Sequence, residues 1–233
     1  PFFLTFRMIN AVIFDIDNTL LDFMQMKERA IDAALRGMIE AGFNIKNNDA
    51  KEKIFEIYQI KGWEYQEVFD DFIIFELGKI NYKYLAAAIV SYRKAKDASL
   101  ILYPNVKNTL ITLSKMGMKI GVVSDAPSRE AWMRIYTLNM HHIFDAVVTF
   151  DDTKVHKPSA KPFRLISKLL NIPPENSIMI GDWPDRDVIG AKEVGMKTAF
   201  AKYGDTFGTI NSGADYDINN IAELIDIVKL ENQ

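Results

Sequence analysis

Residues 9–19 read Ile9-Asn10-Ala11-Val12-Ile13-Phe14-Asp15-Ile16-Asp17-Asn18-Thr19, a branched apolar run that ends abruptly in acid. A run of this length and make-up is expected for a strand buried on both faces, with Asp15 at its carboxyl end. Working outward, the strand period disappears between residues 24 and 97 and helical spacing replaces it. Ile31, Ala34, Leu35 and Met38 share one face, then Val68, Phe69, Phe72, Ile73 and Leu77, then Leu85, Ala88, Ile89 and Tyr92. Gly42, Gly62 and Gly78 fall where these segments should stop, and Asn48 and Asn81 are placed to cap the ones that follow. Four helices are expected here.

Beyond Pro104 the pattern changes again. A helix carrying Val106, Leu110 and Leu113 stops at Gly117, and Lys119-Ile-Gly-Val-Val-Ser-Asp125 follows as another buried strand ending in polar residues. Strands are expected at 144–150, 177–181 and 197–201, separated by helices near 128–138, 160–171 and 185–194, with a last helix carrying Ile221, Leu224, Ile225 and Val228. Such alternation predicts an α/β fold, a doubly wound, Rossmann-like parallel sheet covered on both faces. The predicted core is discontinuous, residues 8–21 plus 98–233, and an all-helical block over 22–97 is inserted after its first strand. Translation does not normally begin at proline, and Met8 immediately precedes the strand, so residues 1–7 are expected to be an upstream or added extension.

Composition narrows the chemistry. The 233 residues carry 28 Lys plus Arg against 31 Asp plus Glu, and 48% are hydrophobic, as in an ordinary globular domain. A net charge of -3 with no basic run argues against nucleic acid or an anionic membrane as partner. No apolar stretch is long enough to span a bilayer, and a cytoplasmic location is expected. With no cysteine, catalysis has to run on oxygen and nitrogen groups.

In open parallel sheets the ligand crevice lies outside the carboxyl ends of the strands. Residues following each apolar run therefore belong to one site: Asp15, Asp17, Asn18 and Thr19, then Ser124 and Asp125, then Asp151 and Asp152 with Lys157 close behind, then Asp182, Asp185 and Asp187. Converging carboxylates raise one another's pKa unless a hard divalent cation sits among them, and magnesium resolves the crowding. Beside such an ion, Asp15 can attack phosphorus directly, and Asp17 can protonate the leaving alkoxide and later deprotonate water. Lys157 supplies fixed positive charge, while Ser124 and the backbone N–H groups after Asp15 can donate to the phosphoryl oxygens. Taken singly, Asp151, Asp152 and Asp185 read as turn or cap residues. His141, His142 and His156 lack metal-ligand spacing and read as exposed loop residues.

Asp15-Ile-Asp17-Asn-Thr-Leu, the strand ending in Ser124, Lys157 before Pro158, and Gly181-Asp182 with Asp187 five residues on resemble, in order, the four motifs of the haloacid dehalogenase superfamily. The resemblance implies that Asp15 is the nucleophile forming an aspartyl-phosphate and that Asp17 is the general acid/base and lends its carbonyl to the metal. It further implies that Asp182 completes the magnesium site and that Asp187 orients Lys157 or holds a metal-bound water. Asn18, Thr19, Ser124, Asp125 and Lys157 are the candidate phosphate-binding residues. The insert resembles the family's helical cap, which carries substrate selectivity, and Trp63, Tyr65, Lys27 and Arg29 are its candidate selectivity residues, although core packing and a solvated helix face explain them as well.

The family's dehalogenases lack a carboxylate at the position of Asp17, which points to its phosphatase branch. Asn18, where many relatives have Gly, and Asp125, where Asn is frequent, depart from the pattern. The expected function is magnesium-dependent hydrolysis of a small phosphorylated metabolite by a monomer or weak homodimer. A phosphomutase-type phosphotransferase is the nearer alternative and a phosphate-binding regulatory module the more distant one. Sugar phosphates, nucleoside monophosphates, phosphoglycolate and sialic acid precursors all fit as substrates.

Overall fold

The computed structural model describes residues 8–45 and 47–233, so the extension expected at residues 1–7 lies outside the described residues. The described residues divide into two compact units, one holding residues 8–22 together with Ile101–Gln233, the other within Phe23–Leu100.

The first unit is built on six parallel strands in the order β3-β2-β1-β4-β5-β6. β1 (Ala11–Phe14) is central, flanked by β2 (Lys119–Val123) and β4 (Ser177–Gly181). β3 (Ala146–Val148) lies on one side, and β5 (Lys197–Ala201) and β6 (Tyr216–Ile218) on the other. The expected α/β class with a parallel sheet is therefore the observed one. Every residue of β1 is buried, as its unbroken apolar run requires. Side chains alternate across the strand, so Ala11 and Ile13 join a cluster with Phe163, Ile166, Met179 and Ala191 on one face of the sheet. α8 (Ala160–Leu170) and α9 (Ile189–Glu193) supply the helical side of that cluster.

Pairing fixes where the strands end. Phe14 is in register with Val122 and Ile180, and the Asp15 N–H still bonds the Ile180 carbonyl at 2.9 Å. Continuing that register sets Asp15 level with Val123 and Gly181, so Ser124 and Asp182 follow one step later at the same edge. The turn after β1 approaches β5's exit closely: a Cβ on Gly204 would stand 1.6 Å from the Asn18 carbonyl oxygen, which only glycine permits. β6, Tyr-Asp-Ile, was not expected from the pattern, because three residues with a charge at the centre carry no strand period.

The second unit contains α1 (Phe23–Glu40), α2 (Asn47–Lys61), α3 (Val68–Leu77) and α4 (Tyr82–Ser99). Ile31, Leu35, Met38, Ile54, Phe72 and Leu85 form its core. α1 and α4 meet where Gly37 faces Ser91, leaving no room for a methyl group. Gly78 ends α3 at φ 72°, and the Asn81 side chain accepts the N–H groups of Lys83 and Tyr84 to start α4. Among the described residues, no helix is long and apolar enough to cross a membrane.

Candidate active site

The carboxyl edge of the sheet brings Asp15, Ser124, Lys157 and Asp182 together with Asp187, and all five are buried. Lys157 enters from the loop between α7 (Phe150–Thr153) and α8. Its ammonium donates to Asp15 Oδ1 at 2.7 Å, to Asp187 Oδ1 at 2.6 Å and to the Val123 carbonyl at 3.3 Å. Asp187 lies on a π-helical turn, Pro184–Val188, a local widening that turns its carboxylate back toward β4. There its Oδ2 accepts the Trp183 N–H at 3.1 Å. A Cβ on Gly181 would stand 2.1 Å from that oxygen, so β4 must end in glycine for Asp187 to reach the site.

Asp182 Oδ1 accepts the Thr19 hydroxyl at 3.2 Å, and the Tyr203 hydroxyl donates to the Thr19 carbonyl at 2.8 Å. These contacts pin the loop after β1 to the ends of β4 and β5. Asn18 turns that loop at φ 55°, a left-handed conformation that asparagine tolerates better than other non-glycine residues. Ser124 Oγ accepts the Ala126 N–H at 3.2 Å.

Asp125, a candidate phosphate-binding residue, has both oxygens engaged elsewhere: Oδ1 accepts the Lys157 backbone N–H at 2.8 Å and Oδ2 accepts Arg186 Nη1 at 2.9 Å. Asp17 is half-buried, and its Oδ2 lies 3.1 Å from Nη1 of Arg134, a buried residue of α6 (Ser128–Thr137). Neither arginine is visible as a site residue in the sequence, because each reaches its carboxylate from a segment far along the chain.

One ammonium is set against three buried carboxylates. Burial pushes the Asp15 carboxyl up to about 7; Lys157 pulls against this, while the charges of Asp187 and Asp17 add to it. Asp182 is raised well above the ordinary range by burial and by the charges of Asp15 and Asp187. Burial raises Asp187 as well, against the pull of Lys157. For Lys157, burial works against the charge but is outweighed by Asp15, Asp187 and Asp125, and its pKa rises. Oxygens of Asp15, Asp182 and Asp187 lie within 4.8 Å of one another, a hard-oxygen donor set matching a small divalent cation. Asp187 already accepts from Lys157 and Trp183, so Asp15 and Asp182 are the residues best placed to ligate one.

The remaining acidic and histidine residues have other occupations. Asp152 caps α7 reciprocally with Thr149, Asp151 accepts the Ser128 N–H at 2.8 Å, and Asp185 is exposed. His156 stacks on Phe150 at 4.4 Å, and His141 stacks on Tyr136 at 4.3 Å. In the helical unit, Lys27 does not lie on a solvated face. It is buried, with Nζ 2.6 Å from the Trp63 carbonyl and 4.1 Å from the centre of the Tyr58 ring. Trp63 stacks on Tyr58 and meets Phe55 edge-on; Tyr65 packs half-buried with its hydroxyl accepting from Lys61 Nζ at 3.1 Å; Arg29 is exposed.

Comparison with known proteins converges on one family. Residues 12–201 match the family model described as haloacid dehalogenase-like hydrolase. A glyceraldehyde 3-phosphate phosphatase from Methanocaldococcus jannaschii is 35% identical over 225 residues, covering 95% of this chain and 98% of its own length. The crystal structure of a HAD phosphatase from Thermococcus onnurineus, 27% identical, superposes with a TM-score of 0.67 over 97% of this chain and 100% of that one. A putative beta-phosphoglucomutase from Thermotoga maritima shares the fold at a TM-score of 0.75 over 95% of this chain and 99% of its own, with 21% identity.

Proposed function

We propose, from the premise that the chain belongs to the haloacid dehalogenase-like hydrolase family, that it is a phosphatase working through an aspartyl-phosphate on Asp15. The observation that carries this reading is the Asp15–Lys157 contact of 2.7 Å at the carboxyl end of the central strand, inside a cluster of buried carboxylates. Lys157 restrains Asp15 Oδ1 and presents positive charge where an anionic phosphoryl group must approach. Ser124, one step beyond the neighbouring strand, donates its hydroxyl to a phosphoryl oxygen. The Asp15 carboxylate attacks phosphorus, the phosphorus–oxygen bond of the ester breaks, and Asp17 gives its proton to the departing alkoxide. Asp17 then takes a proton from the water that attacks the aspartyl-phosphate, releasing inorganic phosphate and restoring Asp15.

Asp15 and Asp182 are the residues that would hold magnesium, together with the Asp17 carbonyl. Bound there, the ion supplies charge neutralisation that lets two anions meet. For substrate, the kinship with glyceraldehyde 3-phosphate phosphatases favours a three-carbon phosphorylated aldehyde. The reading carries with it a cytoplasmic location and a monomer or weak homodimer, which sedimentation at increasing concentration tests.

Phosphate release from glyceraldehyde 3-phosphate, sugar phosphates, phosphoglycolate and an aryl phosphate, with magnesium and with chelator, tests the proposal. Preference for the triose phosphate with loss of activity in chelator is expected. Silence on the whole panel with saturating magnesium would overturn it.

A further inference from the structure

Asp125 poses an electrostatic problem. It follows Ser124 directly, at the edge where the phosphoryl group would sit in a phosphatase, and a carboxylate there should repel that group. Its oxygens are both committed, Oδ1 to the Lys157 backbone N–H at 2.8 Å and Oδ2 to Arg186 Nη1 at 2.9 Å. His156, half-exposed, has Nδ1 3.6 Å from the same carboxylate.

Arg186 is held in turn. Its guanidinium lies 3.9 Å from the centre of the Trp183 ring, stacked on it, and Trp183 packs against Phe207 at 4.7 Å. The Trp183 N–H donates to Asp187 Oδ2 at 3.1 Å, and Asp187 Oδ1 accepts the Lys157 ammonium at 2.6 Å. The contacts close a ring: Lys157 backbone, Asp125, Arg186, Trp183, Asp187, Lys157 ammonium. Lys157 is thus fixed at both ends of its residue, and the two anchors are braced against each other through one turn of chain.

We infer that Asp125 and Arg186 act as a positioning pair for Lys157, Asp125 anchoring the lysine's backbone while Arg186 cancels the anchor's charge beside the phosphoryl pocket. The inference rests on the reading that Lys157 and Ser124 hold the phosphoryl group. Neither member of the pair touches substrate. Without Arg186, Asp125 is an unbalanced anion facing another anion; without both charges, the pocket loses an anchor but regains its balance.

The test compares Arg186→Ala, Asp125→Asn and the double variant in two measurements: kcat and KM on an aryl phosphate, and the calorimetric Kd for inorganic phosphate with magnesium present. For Arg186→Ala, KM and the phosphate Kd are expected to rise about tenfold or more, and the double variant is expected to return to within about threefold of Asp125→Asn alone. Should Arg186→Ala not fold, Arg186→Gln carries the same comparison, since it removes the charge while retaining a planar group over Trp183. Losses that multiply in the double variant would overturn the inference, as would an Arg186→Ala protein within about twofold of wild type on both measurements. Wild-type protein without turnover on any substrate, but with this order of phosphate affinities, would sink the phosphatase reading and leave the pair standing.

Discussion

Arg134 Nη1 lies 3.1 Å from Asp17 Oδ2, and the arginine is buried while the aspartate is half-exposed. The contact ties the proposed proton carrier to α6, which follows β2. An orienting role predicts an effect that depends on the leaving group. Arg134→Gln should lower kcat for an alkyl phosphate by about tenfold or more, toward the range typical for losing a positioned acid, and lower it much less for an activated aryl phosphate, whose departure needs no proton. Arg134→Lys should recover part of the loss. The ratio of the two kcat values in each variant decides it, and an equal fall on both substrates would count against an orienting role.

Asp15→Asn should keep the fold and reduce turnover by about four to six orders of magnitude, as for other covalent nucleophiles. Single-turnover assays with high enzyme concentration make the loss measurable. Retention of a tenth of wild-type turnover would displace Asp15 from the nucleophile's role.

The raised carboxyl of Asp15 also makes stability depend on pH. Burial pushes it up to about 7 in the folded chain, against the ordinary carboxyl value of 3.8, so between those limits the folded state holds a proton that the unfolded state has released. Stability therefore falls as pH rises from about 4 to 7, and the raised Asp182 and Asp187 act in the same direction. In chelator, the melting temperature should drop from pH 5 to pH 7.5. Magnesium should raise it, and raise it more at pH 7.5, because only ionised carboxylates ligate the ion. A melting temperature in chelator that climbs across this interval would contradict the crowded-carboxylate picture.

Lys27 and Trp63 should behave as packing residues of the helical unit. With the Lys27 ammonium 2.6 Å from the Trp63 carbonyl and the Trp63 ring 5.8 Å from Tyr58, Trp63→Ala opens a gap beside a buried cation. A loss of about 2–4 kcal/mol in stability is expected, less than the full cost for a wholly buried tryptophan. Any loss of kcat/KM should then be similar for an aryl phosphate and a triose phosphate. A changed substrate ranking at unchanged stability would instead return Trp63 to the selectivity residues. Tyr65→Ala, at a more open position, offers the control.

Much of the architecture is legible in the linear pattern because burial imposes a period. Ala11–Phe14 and Ile178–Ile180 are apolar without interruption, as only a strand covered on both faces allows, and the change to helical spacing over the insert is equally plain. Where burial is slight the signal fades: Tyr216–Ile218 forms a strand through backbone pairing to β5, which leaves no trace in side-chain order. The carboxyl-edge residues are readable for a related reason, since a parallel strand that ends in acid delivers that acid to the crevice whatever follows it in the chain.

The amino-acid sequence by itself thus determined the class of fold, the edge where chemistry can occur and the excess of acid over base at that edge. Tertiary structure alone decided how that acid is distributed among partners: Asp187 to Lys157 and Trp183, Asp125 to Arg186, Asp17 to Arg134, and Lys27 to a carbonyl and an aromatic face instead of water. The physical reason is that periodicity records only whether a position is covered, whereas the partner of a charge is set by distances between segments far apart in the chain, and a lysine or arginine on a helix carries the same local pattern whether it faces solvent or a buried carboxylate.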